Sequence, residues 1–156
     1  MSSPIPILRD KIIARLATVA AITATHEGRP SGRMSGNLLA KGPRAWAYFR
    51  REDFQPVAKG TSGRALKCLA DFVVEVWAIA PATEPDAARD SSALEDLLDE
   101  LSLDAKKAIE TDVRLENTCL MCTVTEREVD IDGSTDTEMG AALLVVQVCY
   151  ISTEGD

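Results

Sequence analysis

Cys119-Leu120-Met121-Cys122 has the C-x2-C spacing with which a zinc knuckle grips its metal through two thiolates. The flanking run TCLMCTVTERE reads as a strand, where side chains three positions apart point to opposite faces. Such a pair closes on one metal only through a turn, and no second C-x2-C or His pair accompanies it. The expectation is small buried apolar side chains and no metal. Asp130, Asp132 and Asp136 invite a calcium reading. Asp130-x-Asp132-Gly133 is one ligand short of the EF-hand pattern, so an acidic hairpin loop in solvent is the expectation. His26 stands alone, with no Ser, Cys or Asp arrangement that makes a triad recognisable. GRPSGRMSGNLLAKG (28–42) is glycine-rich and basic but matches neither G-x4-G-K-[ST] nor G-x-G-x-x-G, and reads as a surface loop. On these grounds the chain is expected to have no catalytic, metal or cofactor site, and to be no enzyme.

The elements that position these residues come from an ordinary globular composition. Of 156 residues, 46% are apolar and 27% charged, which fits one domain over 1–156. MSSPIPILRDK lacks the basic start and apolar stretch of a secretory leader, and no apolar run reaches the roughly twenty residues of a membrane span. The expectation is a soluble protein made in the cytoplasm, with Cys68, Cys119, Cys122 and Cys149 as reduced thiols. The net charge of −8 argues against a general nucleic-acid binder. Residues 1–80 carry 12 Lys/Arg and 6 Asp/Glu, a net of +6; residues 81–156 carry 5 and 19, a net of −14. On separate surfaces these halves polarise the molecule for head-to-tail association of identical subunits; interleaved, they cancel.

Ile5, Leu8, Ile12, Leu16 and Val19 recur at helical spacing behind Pro4 and Pro6, and AAITATHE (20–27) follows as a short strand. PRAWAYF (43–49) and ALKCLADFVVEVWAIA (65–80) read as strands. The even positions of the second are all apolar over roughly 50 Å, so part of it is expected to project as an arm. Between them RREDFQPVAKGTSGR (50–64) reads as a long functional loop. APATEPDAARD (80–90) is a linker, and Ser92-x-x-Glu95 opens an acidic helix through Leu94, Leu98, Leu101 and Ile109, with a kink expected near Ser102. Strands over 119–131 and 139–152 close the chain as an antiparallel pair. In the last, Ala142, Leu144, Val146, Val148 and Tyr150 form one face, while Leu143, Val145, Gln147, Cys149 and Ile151 form the other. One face can pack on the helices; the other needs a second cover, for which a neighbouring subunit is the natural candidate and the chain's own long loops the alternative. The fold class is α+β: a mixed, mainly antiparallel sheet of about four to five strands, two flanking helices and a long hairpin or loop arm.

DVRLENTCLMCTVTEREVDIDGSTDTEMGAALLVVQVCYIS (112–152) resembles the C-terminal half of tail terminator (tail completion) proteins of long-tailed bacteriophages. The matching positions are Val113, Arg114 and Leu115, then Gly140, Ala142, Leu144, Val148 and Tyr150, and the order of elements fits over most of the chain. The resemblance implies a virion protein that forms a ring, typically a hexamer, on the head-proximal end of the tail tube. That ring stops tube polymerisation and presents the surface that joins the head. Implied partners are further copies of the chain, the tail tube protein and a head completion or neck protein. Genome DNA passes through the lumen without specific binding, and no membrane or cofactor is involved. The implied locations are the tail and, during assembly, the host cytoplasm. Under that resemblance Arg50, Arg51, Phe54, Lys59 and Arg64 are the hypothesised tube contact, and the Leu143, Val145, Gln147, Cys149 and Ile151 face the hypothesised ring interface. The alternatives are a head–tail connector or tube subunit or, in a different class, a monomeric or dimeric ligand-binding α+β module using the 28–42 loop.

Overall fold

Leu8, Ile12 and Leu16, one turn apart, are fully buried and give the first helix, α1 (Ile5–Leu16), its inner face. Pro4 and Pro6 occupy its start, where missing N–H groups cost nothing, and the Ser3 hydroxyl accepts from the Ile5 N–H. The computed structural model describes residues 3–30, 34–56, 65–80, 92–132 and 139–153. After α1 come β1 (Ala24–Glu27), the one-turn helix α2 (Gly36–Leu39), β2 (Arg44–Pro56) and β3 (Ala65–Ile79). Then follow α3 (Ser92–Glu110), β4 (Met121–Asp132) and β5 (Met139–Thr153).

The strands make one five-stranded sheet in the order β1-β2-β3-β5-β4, parallel between β1 and β2 and antiparallel elsewhere. The fold is therefore α+β, as the sequence pattern implies. β3 and β5, the two most apolar strands, take the centre and pair from Ala65↔Thr153 to Ile79↔Met139. Their inner positions, such as Phe72, Val74, Leu144 and Val146, are fully buried against Leu8 and Ile12 of α1 and Leu94, Leu98 and Leu101 of α3. Gly140, Ala142, Leu144, Val148 and Tyr150, the positions behind the family resemblance, all lie on this helix-covered side of β5, so their pattern records the core.

Several sequence expectations need correction. The 28–42 stretch is not all loop: Ser35 accepts from the Leu38 N–H and caps α2. The 50–64 stretch is strand as far as Pro56, because the edge of β3 offers backbone partners that a polar RRED run accepts as readily as an apolar one. α3 continues through Ser102 without interruption; the buried Ser102 hydroxyl donates back to the Asp99 carbonyl at 2.8 Å and accepts from Arg127 of β4. β4 starts at Met121, and Cys119 and Leu120 belong to the preceding turn. The 81–91 and 133–138 connections lie outside the described residues.

The turn between α3 and β4 is unusual. Leu115, Glu116 and Asn117 all adopt positive φ, at 44°, 58° and 65°. Left-handed backbone is costly for Leu and Glu, so neighbouring contacts must hold it. The Leu115 side chain is buried at 1% exposure, and the Asp112 carboxylate accepts from the N–H groups of Arg114 (3.1 Å) and Glu116 (2.6 Å). Two ion pairs from α1, Lys11–Glu116 and Arg15–Asp112, tie the turn to the first helix.

Candidate functional site

The helices cover one side of the sheet only. Across the other side run Trp46 and Tyr48 of β2, Asp71, Val73, Glu75 and Trp77 of β3, the odd positions of β5, and Glu126 and Glu128 of β4. Among the described residues no helix packs on this face. Leu143, Val145, Gln147 and Cys149 are half-buried there, and Ile151 is 45% exposed. Met121 at 56% and Leu120 at 55% extend the apolar surface at the β4 end.

Two bulges shape the face. β2 has an extra residue between Phe49 and Arg51, and β4 has one between Val124 and Glu126. Phe49 pairs with Phe72, Phe72 with Val146 and Val146 with Val124, so both bulges fall on one line across the sheet. A bulge bends its strand and sharpens the local twist. Beside that line the face holds a depression of about 350 Å³. Val73, Leu143 and Val145 form its apolar floor, Arg29, Tyr48 and Arg50 one wall, and Glu126 and Glu128 the other. The Arg29 guanidinium lies 5.2 Å from the centre of the Tyr48 ring, a cation–π contact.

The polar groups on the β1–β2 side are mutually satisfied. Glu75 accepts from the Tyr48 hydroxyl at 2.8 Å and from the Trp77 indole N–H at 3.1 Å. Burial, then the bond to Glu75, raise the Tyr48 pKa, so the phenol stays protonated. Asp71, 6% exposed, accepts from the Arg51 Nε at 2.9 Å. That bond, with Asp53 and Asp71 nearby, raises the Arg51 pKa further. His26 stacks on Trp46, with ring centroids 4.8 Å apart, and its Nε2 lies 3.2 Å from Arg44 Nη1. Burial and the Arg44 charge lower the His26 pKa; the imidazole is a neutral spacer between a cation and an indole.

The nominated site residues divide. Arg50 and Arg51 belong to β2 and face the open side, Arg51 engaged with Asp71. Phe54, 59% exposed, pairs with Cys68 and therefore lies on the opposite, helix side, beyond the reach of the helices. These three do not form one surface. Lys59 and Arg64 lie outside the described residues. The five β5 residues do share a face. Reasoning from sequence missed Asp71 and the acidic wall of Glu126 and Glu128, although Glu126 and Glu128 are spaced two apart in a strand.

The cysteines are a partial correction. Cys119 belongs to the turn before β4 and is not a strand residue as expected, whereas Cys122 lies in β4; both side chains are buried, and burial pushes their thiols up to about 11 and about 12. Among the described residues no group of three or more His, Cys, Asp or Glu is placed to hold a metal ion. No helix among them is long and apolar enough to cross a membrane.

No protein-family model matches the chain. No curated protein matches it either. Among solved structures, a chain of the "Virion of native gene transfer agent (GTA) particle" is similar at a TM-score of 0.48 and 16% identity, over 95% of this chain and 99% of that one. At that level the likeness has no bearing on what this chain does.

Proposed function

We propose that this chain is a structural virion protein whose copies close into a ring, of six by the family it resembles, on the head-proximal end of a phage tail tube. The ring stops polymerisation of the tube protein and presents the attachment surface for the head or neck. The observation that carries the proposal is the open sheet face. Its apolar floor of Val73, Leu143 and Val145 lies between arginines on the β2 side and glutamates on the β4 side, and Ile151 is exposed further along the same face of β5. A face with opposite charges on its two flanks suits head-to-tail contact between identical subunits, the geometry that generates rings. Phe54, near the end of β2, and residues 57–64, which follow β2 in the chain, are the proposed tube contact.

The test is the solution mass by light scattering, with negative-stain images of the same sample. Closed rings of about six subunits support the proposal. Open-ended tubes identify a tube subunit instead. A monomer is then mixed with tail tubes; capped ends support the proposal, and bare ends overturn it in favour of a monomeric ligand-binding module. Replacing 57–64 by a short turn should leave rings that fail to cap tubes. The cut cannot include Arg51–Pro56, which are ladder partners of β3 from Asp71 to Leu66.

A further inference from the structure

We propose that the occupant of the open sheet face is the outer stripe of α3 from the next copy of the chain. This contact rests on the ring reading and specifies its interface. Asp96, Glu100, Leu103 and Lys107 stand at i, i+4, i+7 and i+11, which places them in one row along the helix. All four are exposed, Leu103 at 38%, on the side of α3 away from its own core. The row therefore reads acid, acid, apolar, base. Neighbouring charges on α3 are already used: Asp99 pairs with Arg127, and Lys106 with Glu110 at 2.5 Å. The described residues offer Asp96, Glu100 and Lys107 no such partner.

The depression on the open face reads, in the same direction, base, apolar, acid: Arg29 and Arg50, then Val145 and Leu143, then Glu126 and Glu128. Glu126 and Glu128 also have no ion-pair partner among the described residues. The lengths match. From β2 to β4 is three strand spacings, about 14 Å. From Glu100 to Lys107 is about 10 Å along a helix axis, and from Asp96 to Lys107 about 16 Å. A helix laid across the strands thus sets Asp96 and Glu100 over the arginines, Leu103 on the valine–leucine floor and Lys107 over the glutamates. Because α3 lies on the opposite side of the sheet from the face that receives it, each subunit offers one half of the contact on each side. The contact is heterologous and repeats from copy to copy.

Charge reversal tests it. Variant one carries Asp96→Arg and Glu100→Arg; variant two carries Arg29→Glu and Arg50→Glu. All four positions are exposed, and circular dichroism should show both variants folded. Alone, each sets like charges against each other at every interface, and self-association should fall at least about a hundredfold. Mixed in equal amounts, the two alternate around an even-membered ring with every contact complementary, and rings should return. Leu103→Asp should weaken the wild-type ring as a charge-independent check on the floor. If the wild type forms rings and both variants do so undiminished, this contact is wrong and the ring reading stands. Monomeric variants that fail to co-assemble also overturn the contact. A wild type that forms no ring, alone or on tubes, overturns both.

Discussion

Gly140 is the residue through which the core sets the position of the acidic strand. It pairs with Ile131 of β4 and Ala78 of β3, and its φ is unremarkable; space, not backbone freedom, demands glycine there. A Cβ at this position would lie 2.7 Å from the Asp130 carbonyl oxygen, 2.9 Å from Leu98 Cδ1 and 3.2 Å from Ile131 Cα. Two of those atoms are backbone of a laddered strand and cannot yield without spreading β4 from β5. Leu98, on the inner face of α3, is fully buried and has little room. Overpacking of this kind costs about 1–3 kcal/mol, while replacing glycine by alanine restricts the unfolded chain and returns about 0.4–1 kcal/mol. Gly140→Ala should therefore destabilise by about 1–2 kcal/mol, a fall in Tm of about 3–6 °C for a chain of this size. Thermal melting by circular dichroism reads it. Leu98→Ala relieves only one of the three clashes, so its own cost should be smaller in the Gly140→Ala background than in the wild type. A Tm for Gly140→Ala equal to or above wild type would refute the argument from close approach.

Three further predictions concern protons, thiols and register. Asp112 and Glu116 have pKa values below their ordinary 3.8 and 4.5, Asp112 chiefly through backbone N–H bonds and Glu116 chiefly through Lys11. The unfolded chain then takes up these protons first, so this share of stability is present above about pH 5 and lost as pH falls through the folded values; Asp112→Asn should flatten the acid limb of a Tm–pH curve. Cys149 is the one partly exposed thiol, so alkylation followed by mass spectrometry should label it first in unassembled protein and spare it in rings; Cys68, Cys119 and Cys122, buried and with raised pKa values, should react only on unfolding. Deleting Thr125 removes the extra residue of the β4 bulge yet keeps Val124 inward and Glu126 outward. That variant should stay folded, whereas deleting Glu128 turns Glu126 toward Asp99 of α3 and should lower Tm far more.

The inner half of this fold was legible because apolar periodicity is a statement about burial. The spacing of Leu8, Ile12 and Leu16, and the even positions of β3, name their buried faces directly. The strand ends were legible only where the pattern continued. In the sequence β2 reads as ending at Phe49 because its inner face passes from Ala45 and Ala47 to Glu52 and Phe54, an odd-to-even switch that resembles the end of a strand. It is instead the bulge, after which Glu52 still turns toward the helix side and meets the Tyr150 hydroxyl. β4 makes the reverse switch, even to odd, from Cys122 and Val124 to Val129 and Ile131. A change of phase inside an otherwise alternating run is thus a readable signal for a bulge.

The open face was half legible for a related reason. That β5 is apolar on both sides is evident from its composition, and a strand of that kind must be covered twice. What composition cannot convey is which charges border the second face, because that depends on strand order. Arg50 and Glu126 are far apart in the chain, yet they wall one depression because β3 and β5 insert between β2 and β4 and both bulges fall on the Phe49–Phe72–Val146–Val124 line. The same topology answers whether the basic N-terminal and acidic C-terminal halves interleave. Around the core they do, through Lys11–Glu116 and Arg15–Asp112. Across the open face they stay apart, with β1 and β2 from the basic half at one edge and β4 from the acidic half at the other. The charge asymmetry of the sequence therefore survives folding on the face that no helix of the described residues covers. That is where it can direct a neighbour's approach, since charges near an apolar floor set the orientation of docking more than its strength.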